Sequence, residues 1–341
     1  MTRISTLIAA ALSASGAQAF PAPRQANASW PGFGGLQYWF SFGDSYTQTG
    51  FDVNGTQPSA DNPFGNPTYP GWTSSNGPNW VGYLTYKYNA SLLQTYNLAY
   101  GGATVDSALV KPYADTVISL KQQVEDEFVP KYGSAAASKV WESGNTLFSV
   151  WIGINDVGNS YWSQNTTLID AIFTEYSGLV EQLYTSGARN FLFLNVPPIE
   201  RSPLTTGQGE DSVSLEKTAV ADFNKRITNL ATSLEEKHAD TSVFTFDTYT
   251  LFNQILDDPT SHTQTAALKN TTGYCTDYEN GTSEQNTTVA ACGVPVNEYF
   301  WLNTLHPTFP VHDAVASELS KQLSSCTNCT STIRRRWQLT H

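Results

Sequence analysis

Gln37-Tyr38-Trp39-Phe40-Ser41-Phe42-Gly43-Asp44-Ser45-Tyr46 is an aromatic, strand-forming run that stops at a glycine turn carrying a serine. A serine at the end of such a strand stands where a nucleophile would stand. Its hydroxyl reacts poorly at neutral pH unless a base lies within hydrogen-bond reach and amide donors wait for the developing oxyanion. Gly-Asp-Ser alone is ordinary turn chemistry, so the stretch acquires meaning only from its partners elsewhere in the chain.

The same strand-then-turn pattern recurs. Leu92 to Leu98 runs into Ala99-Tyr100-Gly101-Gly102-Ala103-Thr104, and Leu147 to Ile152 into Gly153-Ile154-Asn155-Asp156. Phe191 to Val196 is a continuous apolar run before Pro197-Pro198, as expected of a strand buried on both faces, and Val243 to Phe246 gives a fifth strand. Helical spacing separates them. Trp80 to Tyr88 reads as one helix, Thr116 to Phe128 as a crossover helix, Ile169 to Leu183 as an amphipathic helix closed by Gly187, and Leu215 to Leu234 as another. A last helix follows His306-Pro307-Thr308, with Pro310 in its first turn and Val311, Val315, Leu319 and Leu323 as its buried stripe.

This alternation predicts an α/β fold, a three-layer α/β/α sandwich around a mainly parallel five-stranded sheet. Ligands bind such sheets beyond the carboxyl ends of the strands, so the turns bearing Ser45, Gly102 and Asn155 are expected along one edge. The Pro- and Gly-rich loop from Phe51 to Asn79 is long enough to be functional, and Thr248 to Phe300 reads as irregular.

Composition narrows the partners. The 341 residues carry a formal net charge of -12, which disfavours nucleic acid and anionic membrane surfaces, and 40% hydrophobic with 14% charged residues is a globular balance. Met1-Thr2-Arg3, the apolar stretch Ile4 to Leu12 and Ala17-Gln18-Ala19 have the order of a secretory signal over residues 1–19, too short to span a bilayer. Residues 20–35 read as an irregular lead-in, 36–325 as a single domain and 326–341 as a tail. Eight Asn-x-Ser/Thr sequons, at Asn27, Asn54, Asn89, Asn165, Asn270, Asn280, Asn286 and Asn328, point the same way as the leader. Of three possible pairings of the four cysteines, the sequential one, Cys275 with Cys292 and Cys326 with Cys329, is expected in an oxidising compartment; a redox or zinc Cys-x-x-Cys is the competing reading.

Taken together, the turns resemble the conserved blocks of the GDSL, or SGNH, hydrolase superfamily: Gly43-Asp44-Ser45, Asn97 with Gly101-Gly102-Ala103, Gly153-Ile154-Asn155-Asp156, and Leu305-His306-Pro307-Thr308. Within it the chain is similar to the secreted fungal acetylesterases of carbohydrate esterase family sixteen. The resemblance implies a flavodoxin-like SGNH fold and ester hydrolysis, with Ser45 as nucleophile and His306 as base. The backbone N–H groups of Ser45 and Gly102 and the amide of Asn155 would form the oxyanion hole.

The chain departs from the superfamily pattern at Asn303, where an aspartate commonly precedes the histidine by three residues. An amide oxygen can orient the imidazole but brings no negative charge, so a Ser45/His306 dyad is expected, oriented by Asn303 or by a nearby backbone carbonyl, with Asp313, in the following helix, a less favoured substitute. Asp44 and Asp156 read as turn-bracing residues rather than acids of the reaction. Trp72, Trp162 and Trp301 are sugar-platform candidates, against the alternative that each is simply packed. The expected substrate is an acetylated sugar or other small ester, acted on by a secreted monomer without nucleic acid, membrane, cofactor or metal. A lipase acting on longer acyl chains, and an inactive carbohydrate-binding glycoprotein, remain the alternatives.

Overall fold

Alternate residues of the 38–43 run reach opposite faces of a sheet, and both faces are apolar. Trp39 meets Trp80 edge-on at 5.2 Å, while Phe40 and Phe42 meet Phe128 from the other side at 5.1 and 5.8 Å. Burial on both faces is why the strand reads as a continuous apolar run. The computed structural model describes residues 30–133 and 140–326. The expected signal peptide, the sequons at Asn27 and Asn328, Cys329 and the rest of the tail lie outside the described residues.

In chain order the elements are β1 (Tyr38–Gly43), α1 (Trp80–Tyr86), β2 (Gln94–Asn97), α2 (Leu120–Gln122), β3 (Thr146–Trp151), α3 (Ile154–Gly158), α4 (Thr166–Thr185), β4 (Asn190–Leu194), α5 (Pro203–Thr206), α6 (Glu210–Lys237), β5 (Ser242–Phe246), α7 (Thr248–Asp257) and α8 (Phe309–Ser325). The sheet order is β2-β1-β3-β4-β5, and all four pairings are parallel rather than mainly so. The chain steps one way from β1 to β2 and the other way from β2 through β5. Right-handed crossovers therefore put α1 on one face and α2, α4 and α6 on the other. α8 returns to pack on α1, with α7 beside it.

Two expectations are corrected. The stretch after Thr248 is not irregular throughout: Asp247 caps α7 by accepting from Thr250 N at 3.0 Å, and Leu251, Phe252, Ile255 and Leu256 are buried along one side. The crossover helix begins at Leu120, four residues later than its spacing suggests, because Ser119 and Gln122 form a capping box there. It continues in π-helical winding over Gln123–Gly133, a segment that contains Pro130, which has no N–H to donate.

Parallel register carries the functional consequence. Gly43 lies level with Trp151 and Ser41 with Asn97, so the turns after β1, β2 and β3 leave the sheet at one edge. A second, smaller hydrophobic cluster of Tyr278, Cys292, Val296, Tyr299 and Leu302 lies just before the His306 loop. It is stapled by the Cys275–Cys292 disulfide. Cys326 is also disulfide-bonded.

Candidate active site

Gly43 ends β1 in a conformation closed to other residues, since a Cβ there would meet the Trp151 carbonyl oxygen at 2.3 Å. Its peptide is clamped on both sides by the buried Gln123, whose Oε1 accepts from Gly43 N at 3.0 Å and whose Nε2 donates to Gly43 O at 2.8 Å. Asp44 Oδ1 accepts from Tyr46 N at 3.0 Å and tightens the turn. Beyond it, Asn97 Nδ2 donates to Thr47 O at 2.6 Å and Asn79 Nδ2 to Thr47 O and Gln48 O, each at 2.8 Å. Ser45 is thereby held at the mouth of the turn with 8% of its surface exposed.

His306 arrives from a loop built to present it. Asn303 Oδ1 accepts from Leu305 N at 3.0 Å, from His306 N at 2.9 Å and pairs with His306 Nδ1 at 3.0 Å. Two main-chain N–H groups aimed at one atom make that atom the amide oxygen, which can only accept. The proton therefore sits on Nδ1, leaving Nε2 as a bare lone pair. Nε2 faces Ser45 Oγ at 2.7 Å. An imidazole in this tautomer can take the hydroxyl proton directly. Burial holds its pKa down, to about 4, so the ring is neutral over the whole range where a base is needed.

The second and third turns close around the pair. A Cβ on Gly101 would lie 3.9 Å from Ser45 Cβ, which places this turn against Ser45. Gly102 has φ 83°, a left-handed conformation that favours glycine, and its open side is covered by the edge of the Tyr113 ring. Asn155, in the first turn of α3, donates from Nδ2 to Ala103 O at 2.9 Å and keeps a second N–H on that nitrogen. Asp156 accepts from Val105 N at 3.0 Å and ties the same two turns together. Burial pushes both carboxyls up, Asp44 to about 8 and Asp156 to about 7.

The structure brings Ser45, His306 and Asn303 into direct contact and sets Gly102 and Asn155 in the adjoining turns. Asp313 is taken up elsewhere, paired with Lys87 Nζ at 2.7 Å. Trp72 is 74% exposed, lies over Gly50 and donates its backbone N–H to Thr49 O at 2.9 Å, beside the nucleophile segment. Trp162 is 59% exposed and follows α3. Trp301 is corrected: it is 1% exposed, packs on Phe300 and donates from Nε1 to Thr271 O, so its ring offers no platform. Sequence reasoning passed over Gln123, Tyr113 and the Tyr46 hydroxyl. Of these only Tyr113 carried a signal, an aromatic residue after a proline in the loop that follows Gly102.

Of the described sequon residues, Asn54, Asn165, Asn280 and Asn286 are exposed, and Asn89 and Asn270 are half-buried. No helix among the described residues is long and apolar enough to cross a membrane.

An open parallel sheet flanked by helices, with a serine–imidazole pair beyond its carboxyl edge, defines the class, a hydrolase of the serine type on a three-layer α/β/α sandwich. The chain belongs to the GDSL-like Lipase/Acylhydrolase family, whose profile matches residues 40–319, and is a carboxylic ester hydrolase. It is 42% identical over 265 residues to an acetylesterase from Thermothelomyces thermophilus, covering 77% of this chain and 85% of that one. It is 22% identical over 329 residues to an acetylesterase from Hypocrea jecorina, covering 85% and 89%. Among solved structures, an acetylxylan esterase from Geobacillus stearothermophilus aligns with a TM-score of 0.46 at 16% identity, covering 84% of this chain and 94% of that one.

Proposed function

We propose that this chain is a secreted serine esterase that removes acetyl groups from hemicellulose-derived sugars or oligosaccharides through an acyl-enzyme, acting as a single hydrolase unit over residues 36–325. The observation that carries the reading is the 2.7 Å contact between Ser45 Oγ and the unprotonated Nε2 of His306. Ser45 Oγ attacks the ester carbonyl carbon as its proton passes to Nε2. The oxyanion is held by the backbone N–H groups of Ser45 and Gly102 and by the second Nδ2 proton of Asn155. Collapse expels the sugar oxygen, which takes the proton from Nε2 and leaves acetyl-Ser45. Water then attacks the acetyl carbon, giving a proton to Nε2. The second collapse returns that proton to Oγ and frees acetic acid. Asn303 Oδ1 accepts the Nδ1 proton throughout and keeps the ring in register.

The acetyl preference is supported by the 42% identical acetylesterase. The sugar is supported by the exposed rings of Trp72 and Trp162, since aromatic faces stack on sugar rings. Secretion is supported by the leader-like residues 1–19, by the six described sequon asparagines, none of which is buried, and by the Cys275–Cys292 bridge. The test is an acyl-length series of nitrophenyl esters alongside acetylated xylo-oligosaccharides. Acetate is expected to be preferred, and a preference for octanoate would overturn the acetyl reading. Ser45→Ala is expected to fold and to be inactive; residual turnover at the wild-type rate would remove Ser45 from the mechanism.

A further inference from the structure

The nucleophile and the base come from segments 261 residues apart, and each is well shaped within its own segment. The bonds inside the histidine loop, from Leu305 N and His306 N to Asn303 Oδ1 and from Leu302 N to His306 O at 2.8 Å, give the loop its form. They do not fix its distance from the sheet. Among the described residues two hydrogen bonds join the loop to the nucleophile turn. One is Ser45 Oγ to His306 Nε2, and the other is the Tyr46 hydroxyl donating to Leu305 O at 2.6 Å.

The first of these is lost in every turnover, because Oγ carries the acyl group once it has attacked. The second is untouched by the chemistry. Tyr46 is 1% exposed, and its ring is wedged among Trp151 at 5.5 Å, Phe252 at 6.5 Å, His306 at 5.6 Å and His312 at 6.1 Å between ring centroids. Its backbone N–H is fixed by Asp44 Oδ1. A side chain anchored at its root beside Ser45 and at its tip beside His306 sets the separation of the two.

We infer that Tyr46 is a positioning residue that keeps His306 over Ser45 during the acyl-enzyme stage, when the serine–histidine bond is absent, so that the imidazole can activate the water of deacylation. This rests on the Ser45–His306 mechanism proposed above. In the resting enzyme the serine hydroxyl itself helps to place the ring, so acylation depends on the strut less than deacylation does.

The experiment is Tyr46→Phe, which deletes the hydroxyl and keeps the ring, run beside Phe252→Leu, which loosens the same packing and leaves the hydroxyl in place. With nitrophenyl acetate, Tyr46→Phe is expected to lose about ten-fold in kcat, less than the roughly hundred-fold that a misplacement of about 1 Å can cost. KM should fall in step, and rapid mixing should show a nitrophenolate burst approaching one equivalent per enzyme as acetyl-Ser45 accumulates. Phe252→Leu should melt lower and keep the wild-type kcat without a burst. A Tyr46→Phe enzyme with wild-type kcat, one that loses kcat/KM as heavily as kcat, or one that fails to fold would each overturn the inference. Ser45→Ala in the same series separates the two failures: an active Ser45→Ala sinks the underlying mechanism, whereas an inactive one beside an unaffected Tyr46→Phe sinks the strut alone.

Discussion

Asn303→Asp adds one negative charge to the site and keeps the acceptor oxygen, at the cost of the long 3.4 Å bond that Asn303 Nδ2 donates to Glu279 O. The amide oxygen of Asn303 stands 3.0 Å from His306 Nδ1, and a carboxylate oxygen in its place would accept the same three donors. In the present enzyme burial alone sets the imidazole, whose pKa is lowered to about 4. An opposite charge this close typically moves a pKa by about 1–3 units toward the charged form, which carries His306 to between about 5 and 7. The sign follows directly: the base works only when neutral, so kcat/KM falls as pH drops through the pKa of His306. The wild-type enzyme should keep most of its activity at pH 5, and Asn303→Asp should lose roughly ten-fold there relative to its own plateau. At pH 8 both rings are neutral, and the variant should be faster, because the carboxylate stabilises the imidazolium formed in the transition state. The assay is kcat/KM for nitrophenyl acetate from pH 3.5 to 8, corrected for spontaneous hydrolysis. Superimposable acid limbs would refute the argument, since they would mean that position 303 does not touch the working histidine.

Buried carboxyls make a separate prediction about stability. The folded pKa of Asp44 is about 8, far above an unfolded value near 4, so the folded chain holds a proton that the unfolded chain has lost, and stability falls as pH rises through that window. Asp44→Asn should remove up to ~2 kcal/mol of the loss between pH 6 and 8, measured by urea unfolding at the two pH values. His306 and His312, lowered to about 4 and about 3 by burial, oppose this only below the unfolded histidine pKa near 6.5, where falling pH costs stability. Gly102→Ala puts a Cβ 2.3 Å from Tyr113 Cε1 at φ 83°. Tyr113 can swing away, but the backbone strain of about 1–2 kcal/mol stays, so the variant should fold with lower kcat and little change in KM. Cys275→Ser opens a bridge spanning 17 residues, at a cost of about 3 kcal/mol, and should lower Tm. The cluster of Tyr278, Val296, Tyr299 and Leu302 adjoins the histidine loop, so activity should be lost at a lower temperature than the sheet melts.

What could be read from the sequence was whatever repeats locally. β1, β3, β4 and β5 announce themselves because burial on both faces leaves largely apolar runs, β2 shows only through its place between Leu92 and the glycine turn after Leu98, and Ser45, Gly102, Asn155 and His306 stand just past strands or just before a helix. α7 was passed over because its first residues, Thr248, Tyr249 and Thr250, favour strands in isolation, and the cap at Asp247 outweighs that preference. Gln123 on Gly43, Asn79 and Asn97 on the Thr47 segment, and Tyr46 on Leu305 are polar contacts between residues 31 to 259 positions apart, and no local pattern records them. Trp301 shows the converse. Its place beside the histidine loop suggested a ligand surface, and only its packing on Phe300 and its bond to Thr271 assign it to the interior.

Ser45 is supplied before the first helix and His306 after the last strand, so a polypeptide emerging from the ribosome carries its attacking group long before anything can switch it on. Competence comes only when the final segment has been made and docked. On the proposed mechanism, a separated piece that ends before His306 carries the attacking group without its base, and one that begins after Ser45 carries the base without its attacking group.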